Sequence, residues 1–116
     1  MGLGADVILL ATLTGVTTAG NAPNPLDLSG YSAGLICANM SAAGTTLTPV
    51  FQISDDGVTY VACPTGILAT PAAITAQGQT FYPFLPANLA LPGRCRIAWT
   101  SVTGTFTGTF RAYMRR

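Results

Sequence analysis

The sequence predicts an all-β fold: an antiparallel β-sandwich of about eight short strands in a jelly-roll-like arrangement. Three features carry that expectation. Runs rich in Val, Ile, Thr and aromatic residues recur between Gly, Pro, Asn and Asp turn signals at roughly 8–12-residue intervals. The runs near the C-terminus alternate strictly between apolar and polar residues. Between Val50 and Cys63, two β-type runs meet at Asp56-Gly57, the dipeptide that most strongly marks a tight hairpin.

In chain order, Met1 to Asp6 is glycine-rich, and Val7 to Thr18 reads as a long extended run. Residues 1–18 are therefore either the first sandwich strand or an arm that adds to a neighbour's sheet edge, with 19–116 a single sandwich domain. The loop chemistry of Ala19 to Pro25 ends that run. A short edge-like segment, Leu26 to Ser29, follows, and then Tyr31 to Asn39, whose unbroken apolar character predicts burial on both faces. Met40 to Thr46 reads as a connection. In the central hairpin, a two-residue turn at Asp56-Gly57 pairs Ser54 with Thr59, Ile53 with Tyr60, Gln52 with Val61 and Phe51 with Ala62. That register puts Phe51, Ile53, Tyr60 and Ala62 on one face. Pro64-Thr-Gly66 turns the chain, and Ile67 to Gln79 reads as strand-loop-strand. Thr80 to Pro86, interrupted by Pro83, suits an edge strand or a wall loop, and Asn88 to Gly93 a turn. Cys95, Ile97 and Trp99 share one face of the next strand, with Arg94, Arg96, Ala98 and Thr100 on the other. Phe106, Gly108, Phe110, Ala112 and Met114 likewise oppose Thr105, Thr107, Thr109, Arg111 and Tyr113. Ser101-Val-Thr-Gly104 between them predicts a hairpin that brings Arg94 or Arg96 beside Arg111 in one basic patch.

The charge inventory bounds the chemistry. Of 116 residues only 8% are charged, against about 25% in an ordinary soluble domain. There is no Lys, Glu or His. Ser–His and Cys–His nucleophile pairs cannot be assembled within the chain, and Asp is the only acid or base of the usual kind, so no enzyme is expected and no catalytic residue is assigned. Asp55 and Asp56 sit where a turn favours Asp. They are too few for a Ca²⁺ site, and three cysteines without a CxxC pair or His make no zinc site, so neither cofactor nor metal is expected. Cys37, Cys63 and Cys95 read as buried free thiols, which suits assembly in a reducing cytoplasm. Val7 to Ala11 is too short to span a bilayer and lacks the flanks of a secretion signal, so no membrane partner is expected. All four acids lie in the first half and all five arginines in the last 23 residues, a footprint too sparse for nucleic acid. So weakly charged a surface belongs either to a Thr-rich monomer or to a chain covered by its own copies or a larger assembly.

Two resemblances follow from these residues. Ser54 to Tyr60 resembles an Asp-box hairpin of sialidase-type propellers, although its spacing is one residue short and it occurs once, so it is no propeller blade. The succession of a Thr-rich apolar start, Leu26-Asp-Leu-Ser-Gly-Tyr31, Pro49 to Gly57, Phe81 to Pro86, Pro92 to Thr100 and a Thr-Gly-Thr-Phe repeat resembles small β-sandwich virion proteins of tailed bacteriophages. That resemblance implies a capsid decoration, or cement, protein that stabilises the head by bridging capsid subunits. Its expected partners are the major capsid protein and further copies of itself, with a trimer favoured. Its expected location is the capsid surface, after assembly in the host cytoplasm. A head–tail or tail component is the alternative within the class, and a carbohydrate-binding attachment module resting on Tyr82, Phe84 and Trp99 the alternative outside it. The candidate protein interface comprises Val7, Ile8, Leu9 and Leu10 with Arg94, Arg96, Arg111, Arg115 and Arg116.

Overall fold

In the computed structural model, which describes residues 6–28, 31, 33–63, 71–84 and 93–115, the chain forms two antiparallel sheets packed face to face. The strands are β1 (Asp6–Val16), β2 (Gly20–Asn21), β3 (Leu26–Asp27), β4 (Ala33–Ala42), β5 (Thr46–Ser54), β6 (Val61–Ala62), β7 (Gly78–Pro83), β8 (Arg94–Thr103) and β9 (Phe106–Arg115). One sheet has the order β1-β9-β4-β7; the other has β2-β8-β5-β6, with β3 also paired to β8. β2 and β3 run along the same partner, interrupted at Ala22 to Pro25, and act as one broken strand. Counted so, the order is that of a jelly roll: successive strands lie in opposite sheets except β5 and β6, which pair, and the first and last strands lie side by side.

Alternation decides which side chains meet between the sheets. From β9 come Phe106, Phe110, Ala112 and Met114, from β8 Cys95, Ile97 and Trp99, from β4 Ile36, Ala38 and Met40, all buried. Trp99 and Phe110 stack across the interior with centroids 6.2 Å apart and planes 5° from parallel. Phe51 meets Tyr82 edge-on at 5.3 Å. These two ring pairs each join one sheet to the other, where aromatic burial contributes most. The N-terminal run lies in the sheet as β1, and a bulge between Leu9 and Ala11 turns both Leu10 and Ala11 into the core. Pro49 sits at a register break in β5, and Pro83 ends the edge strand β7. Phe84 donates its N–H to Gly34 O, so by antiparallel alternation the N–H that Pro83 lacks would point off the sheet, where it leaves no ladder bond unmade.

Two pairings differ from the sequence expectation. Ser101 to Gly104 is not a hairpin: β8 belongs to one sheet and β9 to the other, so the segment is a corner. It crosses the other corner, from β4 to β5, at close range. A Cβ on Gly104 would stand 2.7 Å from the Cα of Gly44, and Gly104 has φ +91°. Two glycines are what let these backbones pass. The second difference is the register of the central hairpin, which is shifted by a residue: Gln52 faces Ala62 and Ile53 faces Val61. Among the described residues none other than glycine has positive φ, which rules out a type I′ turn with Asp56 at its first central position. The hydrogen bonds explain the wider loop. Buried Ser54 accepts at Oγ from the N–H groups of Asp56 (3.3 Å) and Gly57 (2.9 Å) and donates to Asp56 Oδ1 at 2.8 Å. Asp56 Oδ1 also accepts from the N–H of Val58 (2.8 Å) and Thr59 (2.9 Å). Side chains thus satisfy the backbone that a tight turn would have closed on itself.

Those bonds, first the Thr59 and Val58 N–H groups and then the Ser54 hydroxyl, hold the Asp56 carboxyl at about 2, below its usual 3.8. A depressed carboxyl stabilises the folded chain above the ordinary range and loses that contribution as pH falls from 3.8 through about 2. Asp56→Ala should therefore be destabilised relative to wild type at neutral pH and equal to it below about pH 2. Denaturation series at the two pH values check this, and an Asp56 carboxyl midpoint near 4 by NMR would contradict it.

Tyr82 carries a buried hydroxyl without a hydrogen-bond partner among the described residues. Burial, followed by the nearby Cys37 thiol, pushes its ionisation up to about 12. Because the unfolded chain ionises first, this group costs stability as pH rises above about 10. Tyr82→Phe removes an unpaired donor and should raise unfolding stability by about 1 kcal/mol at neutral pH, and by more in alkali. Urea denaturation at pH 7 and pH 11 reads both; a stability loss in the variant would mean the hydroxyl is usefully bonded.

The turn at Pro64 to Gly66, the start of the Ile67 to Gln79 segment and most of Asn88 to Gly93 lie outside the described residues. Of the Ile67 to Gln79 segment, Ile74 is buried and bridges to Leu47, and β7 begins at Gly78.

Candidate interaction surface

The two outward faces of the sandwich differ in kind. On the four-stranded sheet, strand registers align side chains in rows across β1, β9, β4 and β7. One outer row is Val7, Tyr113, Leu35 and Pro83, and the next is Leu9, Arg111, Cys37 and Phe81. Val7, Leu9 and Phe81 are 58%, 43% and 54% exposed, three of the five large apolar side chains left in solvent among the described residues. Beyond them a polar row of Thr12, Thr109, Asn39 and Gln79 closes the band. Sheets that face water on one side normally alternate to polar residues there. This one instead presents a continuous apolar band with a guanidinium in it.

Arg111 lies in the middle of the band, its Nη1 donating to Thr109 Oγ1 at 3.1 Å. Burial pushes the neighbouring Cys37 thiol up, and the Arg111 charge opposes that shift. Arg115 follows Tyr113 on the same side of β9 and is exposed. Asp6 stands at the end of β1, where its Oδ2 accepts from the Tyr31 hydroxyl at 3.0 Å.

On the other sheet, Arg96 is half-buried and held from two directions. Its Nε and Nη2 donate to Gln52 Oε1 at 2.9 and 2.7 Å, and its guanidinium carbon lies 4.2 Å from the centroid of the Tyr60 ring. Gln52 is its direct partner across the β5–β8 ladder, and the shifted hairpin register is what delivers Tyr60 to this outer face rather than to the core. Arg94 stands opposite Asp27 and packs against Gly57. A shallow open depression of about 380 Å³ adjoins the cluster, lined by Gln52, Ala98, Thr100, Gly20 and Asn21 among others.

The expected interface residues are thus divided. Val7, Leu9, Arg111 and Arg115 share the outer face of the four-stranded sheet, while Ile8 points inward against the core and Leu10 is buried at the bulge. Arg94 and Arg96 lie on the opposite face, so the single basic patch with Arg111 does not form: it required β8 and β9 to pair, and they belong to different sheets. Arg116 lies outside the described residues. The proposed sugar-stacking rings are 9% (Tyr82), 3% (Phe84) and 7% (Trp99) exposed, and the Trp99 indole N–H donates to Thr18 O at 3.1 Å, so they fill the core and present no stacking shelf. Phe81, Leu35 and Tyr113 are not among the interface residues expected from the sequence, where Phe81 figures only beside Tyr82 and Phe84 as a possible sugar-stacking shelf. The signal that could have found them was the period of two in Thr80 to Pro83, which sends Phe81 and Tyr82 to opposite faces.

Among the described residues, no three His, Cys, Asp or Glu side chains come together in a way that could hold a metal ion. No protein-family model, curated protein or solved structure matches the chain.

Proposed function

We propose that this chain is a structural virion protein, a capsid decoration protein of a tailed bacteriophage, which docks on the head through the outer face of its four-stranded sheet and bridges capsid subunits. The observation that carries the reading is the apolar band that crosses all four strands around Arg111. Contiguous apolar surface rimmed by polar residues marks a protein-binding face. A flat, four-strand-wide face suits a broad partner such as a shell surface better than a small molecule, which takes a concave site. Arg111 and Arg115 set the expected partner chemistry: apolar side chains flanked by carboxylates on the major capsid protein. The scarcity of charge over the whole chain and the resemblance to phage sandwich proteins support the same reading.

Cosedimentation with heads assembled from the cognate major capsid protein tests it. Saturable binding at a fixed ratio to capsid subunits, with heads that resist heat better than bare ones, is the expected result. Binding to tails and not to heads would move the protein to the tail, and a monomer that binds neither would end the proposal.

A further inference from the structure

The geometry points to a second recognition site on the opposite face: Arg96, set by Gln52 and Tyr60, is a receptor for a carboxylate carried on an extended acidic peptide segment. A guanidinium has two edges that can each form paired N–H···O bonds, and two flat faces. Gln52 Oε1 occupies the Nε/Nη2 edge and the Tyr60 ring covers one face. The remaining Nη1/Nη2 edge has no acceptor among the described residues. A neutral amide and a neutral ring fix the group without cancelling its charge, so the guanidinium is oriented and only the incoming ligand can neutralise it. Ordering the side chain beforehand reduces what binding must immobilise.

The class of ligand follows from the surroundings. A planar carboxylate matches the open edge bidentately. Arg94, the next cation along β8, is exposed and stands opposite Asp27 in the strand register, so this face carries two cations beside an acid and not the row of cations that a phosphate backbone requires. The adjoining depression runs from Gln52 past Ala98 to Asn21, over strands β5, β8 and β2, and gives the rest of a short segment a shallow seat. Trp99 lies beneath it, with its outer neighbours Ala98 and Thr100 too small to fill it. Unlike the apolar band, this site stands independently of the proposed docking to a head.

The test uses the intact protein at physiological salt and an octapeptide of alternating Glu and Leu with blocked ends, followed through the Arg96 Nε–H resonance and the amides of β8. Its Gln-for-Glu counterpart, inorganic phosphate and a single-stranded oligonucleotide are the comparison probes. The acidic peptide should shift these signals saturably and the Gln peptide should not. Arg96→Lys keeps the charge but loses the paired edge, and should weaken binding at least tenfold. Gln52→Glu provides an internal carboxylate for Arg96; it should abolish peptide binding while leaving thermal stability equal or higher, which separates loss of the site from loss of the fold. Equal binding of the Gln peptide, full binding by either variant, absence of binding by wild type, or tighter binding of phosphate or the oligonucleotide would each overturn the proposal.

Discussion

Phe110→Ala should lower the unfolding free energy by about 3–5 kcal/mol, a large part of the 5–15 kcal/mol typical of a small domain. Phe110 is fully buried in β9, and its ring stacks on Trp99 of the other sheet. Its loss therefore removes both the transferred ring and an inter-sheet contact, and opens a cavity in a layer that rigid strands cannot close by moving. Phe110→Leu keeps most of the volume and should cost under half as much. Trp99 is the only tryptophan, so its fluorescence reports urea unfolding directly at the affected contact. A loss below about 1 kcal/mol for the alanine variant would mean that the sheets collapse onto the gap.

The same layer shows what the sequence made legible. Strict alternation in Arg94 to Thr100 and Phe106 to Met114 identified the inward side chains of β8 and β9, because a half-buried strand must sort its residues by face. The unbroken apolar run at Tyr31 to Asn39 suggests a strand buried on both faces, but β4 is so only at Cys37: Ile36 and Ala38 are buried inside, whereas on the outer face Leu35 is half-buried and Asn39 exposed. Partner choice was less legible. Ser101 to Gly104 has the composition of a hairpin turn, yet nothing local distinguishes a turn within one sheet from a corner between two; that is decided by β1 and β4 taking the places beside β9. The central hairpin was misread by one register step because polarity sorting favoured Tyr60 inward. Five hydrogen bonds around Ser54 and Asp56 outweighed it, and Tyr60 found a cation to cover on the outer face. The candidate surface suffered from the same limit. Val7, Leu9, Arg111 and Arg115 could be named singly, but their assembly with Phe81 and Leu35 needs the β1-β9-β4-β7 order, which depends on contacts far apart in the chain.

That order underlies the second large effect. The double variant Leu9→Ser/Phe81→Ser should fold as wild type yet bind heads roughly 30- to 150-fold more weakly, given about 1–1.5 kcal/mol for each apolar side chain half-exposed in the free protein and covered on docking. The two residues occupy one row on the outer strands β1 and β7, flanking Arg111 and Cys37, so both ends of the band are altered without touching the core. Each is already about half in solvent, and serine at an exposed strand position costs little stability. Arg111→Ser should act differently, weakening docking more at low ionic strength than at high salt, because the half-buried guanidinium at the centre of the band attracts partner carboxylates through a charge that salt screens. Binding isotherms on heads at two salt concentrations, beside thermal melts of the free proteins, separate these effects. Full binding by the Leu9/Phe81 variant would remove the four-stranded face from the docking interface.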